Sequence, residues 1–287
     1  MQLQEREDYN VDCNSFFMGP IGIFTMGCIL YSIKNDICAF NDSLKEILSL
    51  QLLSTNPNQD DELLYGTAGY LYALLLIKTQ CIIPFDTSDL DKAIISISTI
   101  LINNGLIGMN THKDKVNNKC LVFPFPKGKK NYSLYLGGAH GVIGVLYELL
   151  CAIKLFKDKF TQVQIDIIKS SLDFVSTLQF ETGNFPSSVT GGSDTKVHFC
   201  HGPIGAIHLY GLASEIFSDI NYLKIAEKCS ISIWERGLLL KGNCVCHGIS
   251  GSVYGMYKLY QLTKKKTIFL NLTCSLKGHM IPMCKIK

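Results

Sequence analysis

Five short segments of this chain share one pattern: a glycine, two residues, a second glycine, then an apolar run of helical length. They are Gly19–Gly22 in FMGPIGIFTMGCILYSI, Gly66–Gly69 in YGTAGYLYALLLI and Gly141–Gly144 in AHGVIGVLYELLCAI, followed by Gly202–Gly205 in CHGPIGAIHLYGLA and Gly248–Gly251 in CHGISGSVYGMYKLY. One such motif carries little information, but five, each opening an apolar run, define a repeat. The motifs start 47, 75, 61 and 46 residues apart, so the repeats carry loops of unequal length.

Between the motifs lie amphipathic stretches. Residues 88–105 begin with Ser88 and acidic residues and end at Gly105, which reads as a capped helix stopped by a glycine. Residues 161–180 and 221–237 have apolar residues at helical spacing, and the second also stops at a glycine. These helices have one polar face, whereas the runs after the motifs are apolar nearly all round, as buried helices are. The repeating unit is therefore an outer amphipathic helix, a loop, a glycine turn and an inner buried helix. Such pairs must stack to bury their faces. Residues 105–135 and 181–198 read as loops inserted at one rim, CLVFPF included, and no strand pairs are expected. The expected class is all-α, one domain over 1–287, with a polar segment at 1–15 and a divergent tail at 275–287.

A hydrophobic content of 47% against 18% charged residues suits this much burial. The net charge of +3, without basic clusters interleaved with aromatics, argues against nucleic acid as a partner. The basic run Lys127–Lys130 reads as a solvated loop. Twelve cysteines, with no apolar leader in MQLQEREDYN, suggest a reduced cytoplasmic protein whose cysteines mostly act as small hydrophobes. No stretch reaches the ~18–20 apolar residues of a membrane span. MQLQ lacks a myristoylation pattern, which leaves peripheral association at the plasma membrane open.

Chemistry gathers just before the glycines. The preceding residues are Met18, Tyr65, His140, His201 and His247, and before those Phe17, Leu64, Ala139, Cys200 and Cys246. If the repeats wrap around an axis, these positions converge. Inner helix N-termini would converge with them, bringing unpaired N–H groups able to accept an anion or acidify a thiol. Cys200, Cys246 and His247 offer two sulfurs and an imidazole, a soft set suited to zinc with a place left open. With no CxxC or HExxH spacing, an inert pair of buried thiols is the competing reading. Cys244 reads as a bystander, and His198 as either a support for the site or part of its loop. Three residues after the second glycine stand Tyr72, Tyr147, His208 and Tyr254, with Thr25 breaking the series, and they read as core filler.

At these residues the chain resembles the eukaryotic branch of the lanthionine synthetase C-like family. YLGGAHGVIG, VHFCHGPIG and LLKGNCVCHGISG are similar to its three signature segments in order, and LLYGTAGYLYAL and GNFPSS are similar to eukaryotic members. The resemblance runs from about Phe16 to about Leu270. It implies an α/α toroid, a double ring of inner and outer helices, here with about five of the family's seven repeats. It also implies zinc on Cys200, Cys246 and His247, an acid/base histidine at His140, and a glutathione-handling lysine at Lys241. The activity implied is addition of the glutathione thiol to dehydroalanine or dehydrobutyrine residues of peptides or proteins. A non-catalytic adaptor that binds zinc and glutathione is the alternative. A toroidal glycosidase would need a pair of carboxylates that the motifs do not supply beyond Glu148.

Overall fold

The structure, a computed structural model, describes residues 15–17 and 19–268. Met18, His279, Cys13, Cys274, Cys284 and the 275–287 tail lie outside the described residues.

Helices account for the architecture, and among the described residues no strand forms, only isolated bridges such as Phe125 with Ser133. In chain order they are α1 (Ile21–Lys34), α2 (Ile37–Ser49), α3 (Thr67–Gln80), α4 (Ser88–Thr111) and α5 (Lys113–Val116), then α6 (Val142–Phe156), α7 (Gln162–Ser176), α8 (Pro203–Phe217), α9 (Ile220–Arg236) and α10 (Ile249–Thr263). Each glycine motif opens an inner helix: α1, α3, α6, α8 and α10. These pack side by side in that order, with α2, α4, α7 and α9 outside them. Two fully buried tyrosines tie the layers together. Tyr70 on α3 donates to the Ile47 carbonyl of α2, and Tyr210 on α8 donates to the Leu172 carbonyl of α7, each at 2.8 Å.

The second glycine of the motif has a steric cause. A Cβ at Gly22, Gly69, Gly144 or Gly251 would collide with the carbonyl oxygen of Phe16, Leu63, Gly138 or Val245, in each case six residues earlier. The incoming loop folds across the first turn of its own helix, and only a missing side chain leaves room for it. This loop changes one expectation. The leading N–H groups of three inner helices, α3, α6 and α10, are not left free: Thr67 and Ala68 donate to Asp60 and Asp61 carbonyls, Val142 and Ile143 to those of Tyr135 and Leu136, and Ile249 to that of Gly242. At α8, Pro203 has no N–H to offer. At α3, α6 and α10 the helix mouths thus spend their leading N–H groups on the entering loop.

The outer helices begin with side-chain caps where such residues are available. Thr161 and Gln164 form a capping box on α7, and Asp36 and Asp219 cap α2 and α9. Helix α2, with Phe40, Leu44 and Ile47 on its buried face, had no place in the sequence reading. Helix α4 overruns its expected end at Gly105 and continues to Thr111, so 105–111 is helix and not inserted loop. Gly105 and Gly108 are there for close approach. A Cβ on Gly105 would meet the Phe123 ring at 2.8 Å, and one on Gly108 the Val122 carbonyl, because the buried segment 121–123 lies across this helix. Helix α4 is long and apolar enough to cross a membrane by length and composition, contrary to the sequence reading, but half of that stretch is buried against the rest of the fold.

The basic run also departs from expectation. Lys129 and Lys130 are solvated, but Lys127 pairs with the buried Asp61 at 2.9 Å, and its backbone N–H donates to Asp60. Ser15, assigned to the polar N-terminal segment, is buried and donates to the Leu64 carbonyl. The two ends of the inner arc leave apolar side chains in solvent: Ile23, Met26, Leu30 and Ile33 along α1, and Tyr254 and Tyr257 on α10. All nine described cysteines are free thiols.

Candidate functional site

The loops entering α8 and α10 meet at the rim of the inner helices. The backbone N–H groups of Phe199 and Cys200 both donate to the Cys246 carbonyl, at 3.0 and 3.3 Å. This pairing brings together side chains 46 residues apart. The donor atoms of Cys200, Cys246 and His247 lie within 4.8 Å of one another, on residues that run from buried through half-buried to exposed. A tetrahedral zinc ion with ~2.3 Å sulfur bonds would need them about 3.7 Å apart. Closing the widest separation by about 1 Å meets that requirement, and two sulfurs with one nitrogen suit zinc over magnesium or calcium. The residues fit the ion.

The two thiols share a hydrogen bond. The Cys200 thiol is drawn down to about 7, first by the hydrogen bond from Cys246, with help from the backbone N–H groups of Cys200 and His201 and the charge of Lys196. Cys246 is pushed up by the same shared bond and by burial. One thiolate therefore forms readily in this pair and the second with difficulty, as expected of like charges in contact. Cys244, two residues away, is exposed and belongs to the turn.

The loop carrying Cys200 is anchored from below. Arg236 of α9 donates to the Asp194 backbone carbonyl at 2.7 Å and to its carboxylate at 2.9 Å. Fully buried Asn184 donates to the same carboxylate and to the Lys196 carbonyl. Gly202 then turns with φ +132°, a backbone conformation closed to ordinary side chains. Lys196 and Lys241 are exposed, and both, with His247, depress His198, whose burial is the larger cause. Lys241 is thus within electrostatic reach of the cluster, and Lys196 is a second cation there that the motifs did not single out.

His140 stands at the neighbouring mouth of α6, its ring 6.2 Å from that of His201. Its Nδ1 lies 2.6 Å from Oε2 of Glu62, a carboxylate that is 1% exposed. Glu62 already accepts from the backbone N–H groups of Leu64 and Tyr65, so it acts as the acceptor and Nδ1 as the donor, which leaves Nε2 free. The ring lies against both Tyr65 and Phe125, with centroids at 5.7 and 4.9 Å, and those two rings are themselves 6.3 Å apart. Sequence reading missed Glu62. The one signal was a run of three acids, Asp60–Glu62, just before a buried motif. His201 packs on Tyr135 at 4.9 Å, its Nδ1 is buried without a hydrogen bond, and burial draws it down to about 4.

The series at the third position after the motif also finds a place. Tyr72, Tyr147 and His208 face a half-open cavity between the inner helices and their entering loops, whereas Tyr254 is exposed at the open end of the arc.

Comparison with known proteins bears on the family and the fold. The profile described as "Lanthionine synthetase C-like protein" matches residues 2–281. The chain is 30% identical over 257 residues to the zebrafish (Danio rerio) protein named glutathione S-transferase LANCL1, covering 87% of this chain and 59% of that one. It is 24% identical over 263 residues to LanC-like protein GCL1 of Arabidopsis thaliana, covering 87% and 55%. Among solved structures, nisin cyclase superposes with a TM-score of 0.70 at 17% identity, over 93% of this chain and 70% of that one. The fold is therefore an α/α toroid, and the chain spans a little over half the length of the curated relatives it matches.

Proposed function

The chain belongs to the lanthionine synthetase C-like family, and on that premise we propose that it is a zinc-dependent glutathione transferase acting on dehydroalanine or dehydrobutyrine residues of peptides or proteins. One observation carries the reading: a converged Cys200–Cys246–His247 cluster stands beside an oriented His140–Glu62 pair. A relative named as a glutathione S-transferase supports the choice of thiol.

Cys200, Cys246 and His247 would hold the metal. Zinc bound there would keep a substrate thiol ionised near neutral pH. The reaction adds S–H across a carbon–carbon double bond. The glutathione sulfur bonds to the β-carbon, and the π electrons move onto the α-carbon and its carbonyl. His140 Nε2, unprotonated in the neutral ring, takes up the proton that the thiol releases and delivers it to the α-carbon, which returns the ring to its neutral form. Glu62 fixes the tautomer that leaves Nε2 to do this and supports the positive charge that the ring carries in turn. Lys241 and Lys196 offset negative charge on glutathione or on the enolate. The free thiols suit a reducing compartment, where glutathione is abundant.

The test is the mass gain of a dehydroalanine peptide incubated with glutathione and zinc-loaded protein. His140→Ala is expected to slow the gain at least 100-fold with zinc content unchanged. A His140→Ala protein as fast as wild type would remove the acid assignment. A wild type no faster than the uncatalysed addition would leave the adaptor reading in its place.

A further inference from the structure

Next to the loops that carry Cys200 and Cys246, whose Phe199 and Val245 line it, the inner helices and their entering loops bound a half-open cavity of about 330 Å3. Its wall is mostly apolar and carries the rings of Phe16, Tyr72, Tyr147 and Phe199, with Phe16 set edge-on to Tyr72 at 5.2 Å. One ionisable carboxyl faces this space. Glu148 of α6 is 3% exposed, and among the described residues no hydrogen bond or ion pair reaches it. His208 of α8 also faces in, its ring 6.2 Å from Tyr147, and burial draws it down to about 4, so it presents a neutral imidazole. Burial pushes Glu148 up to about 8.

A carboxyl in such a box needs a partner, and the box restricts what that partner is. An apolar guest would leave the carboxylate unpaired. A hard metal ion would need several oxygen ligands, where the cavity has one carboxylate. An organic ammonium satisfies every wall at once: its charge meets the carboxylate, its N–H groups meet the imidazole nitrogen and the Tyr72 hydroxyl, and its carbons meet ring faces.

We propose that this cavity is a binding site for an organic ammonium group, with Glu148 as counter-charge, His208 and Tyr72 as neutral acceptors, and Tyr147, Phe16 and Phe199 as its aromatic walls. The source is either a free alkylamine or a lysine side chain of a peptide entering from the rim. The site is separate from the proposed acid and metal ligands, and its occupancy does not depend on the transferase reading.

The experiment is a ligand-observed NMR titration of the full chain at pH 8.5 with n-butylammonium, and with n-butanol as its uncharged counterpart. Saturable binding of butylammonium at least tenfold tighter than butanol is expected, with a loss of at least tenfold in Glu148→Gln. Tyr147→Leu keeps the carboxylate and removes a ring, so a loss of roughly threefold or more is expected there. This variant carries the test if Glu148→Gln does not fold, as judged by circular dichroism. Competition by a short peptide with a single lysine assigns the site to a side chain, and its absence, with butylammonium still bound, to a free amine. Equal binding of butanol, undiminished binding in Glu148→Gln, or preference for the neutral carbonyl compound N-methylacetamide overturns the proposal.

Discussion

Replacing Glu62 with glutamine tests the chemistry of the rim without touching any residue assigned to the metal. Oε2 of Glu62 meets His140 Nδ1 at 2.6 Å and the Leu64 N–H at 3.2 Å, while Oε1 takes the Tyr65 N–H. A glutamine has one oxygen for these three donors. In its better orientation the oxygen keeps His140 and Leu64, and the new NH2 is forced against the Tyr65 N–H. A buried N–H left without an acceptor costs ~1–3 kcal/mol, and converting a charge-assisted bond to a neutral one costs about half its strength. The stability loss should total roughly 2–4 kcal/mol. Catalysis should suffer separately. Support for a positively charged imidazole weakens by about 1.5–3 kcal/mol, which is about 10- to 150-fold in kcat. The assay is single-turnover mass gain on a dehydroalanine peptide, with zinc per chain measured on the same sample. A rate within twofold of wild type, with zinc and fold retained, would refute the role given to Glu62 and weaken that of His140.

Three further outcomes are expected. Cys246→Ala should lower zinc from about one ion per chain to near background in metal analysis, since two donors hold the ion poorly; unchanged zinc would remove the site. Gly144→Ala should cost about 2–3 kcal/mol in urea unfolding, because its Cβ collides with the Gly138 backbone carbonyl, which has little room to yield; a neutral effect would deny the loop-over-helix explanation of the motif. Glu148, ordinarily near 4.5, is raised to about 8, so the folded state holds a proton that the unfolded chain releases between these values. Its contribution is complete below 4.5 and is lost as pH rises towards 8, on the order of a few kcal/mol in all. Between pH 7.5 and 8, where both states leave His208 neutral, wild-type stability should fall with rising pH and Glu148→Gln should be flatter; parallel slopes would contradict the buried, unpartnered carboxyl.

The inner ring was legible because its signal is steric and local. The second glycine answers to a carbonyl six residues upstream in four of the five motifs, so the same short pattern recurs wherever the loop crosses a helix mouth. Helix ends were less legible, because a glycine means different things in different places. Gly237 follows the last residue of α9, as the sequence suggests, but Gly105 sits within α4 to admit Phe123 from a segment 18 residues on. Nothing within the helix distinguishes these uses. Lys127 escaped for a similar reason. Its neighbours Lys129 and Lys130 are solvated, and only the tertiary approach of Asp61 makes it an ion pair.

The same reasoning separates the parts of the site. The position two before each motif's first glycine holds Phe17, Leu64, Ala139, Cys200 and Cys246. Helical stacking turns this fixed offset into a shared place at the rim, so identity along the series decides local chemistry. Phe17 and Leu64 line the apolar cavity, while the last two positions supply sulfur to the metal cluster. That much follows from the repeat. His140 sits one residue further along, in the third repeat, but the carboxylate that orients it precedes the second motif by four residues and answers to no repeat rule. Its assignment needed the distance of 2.6 Å between Nδ1 and Oε2. Residues that share an offset can be placed together from sequence once the ring is recognised, whereas partners drawn from different offsets become visible only when the loops are seen to cross.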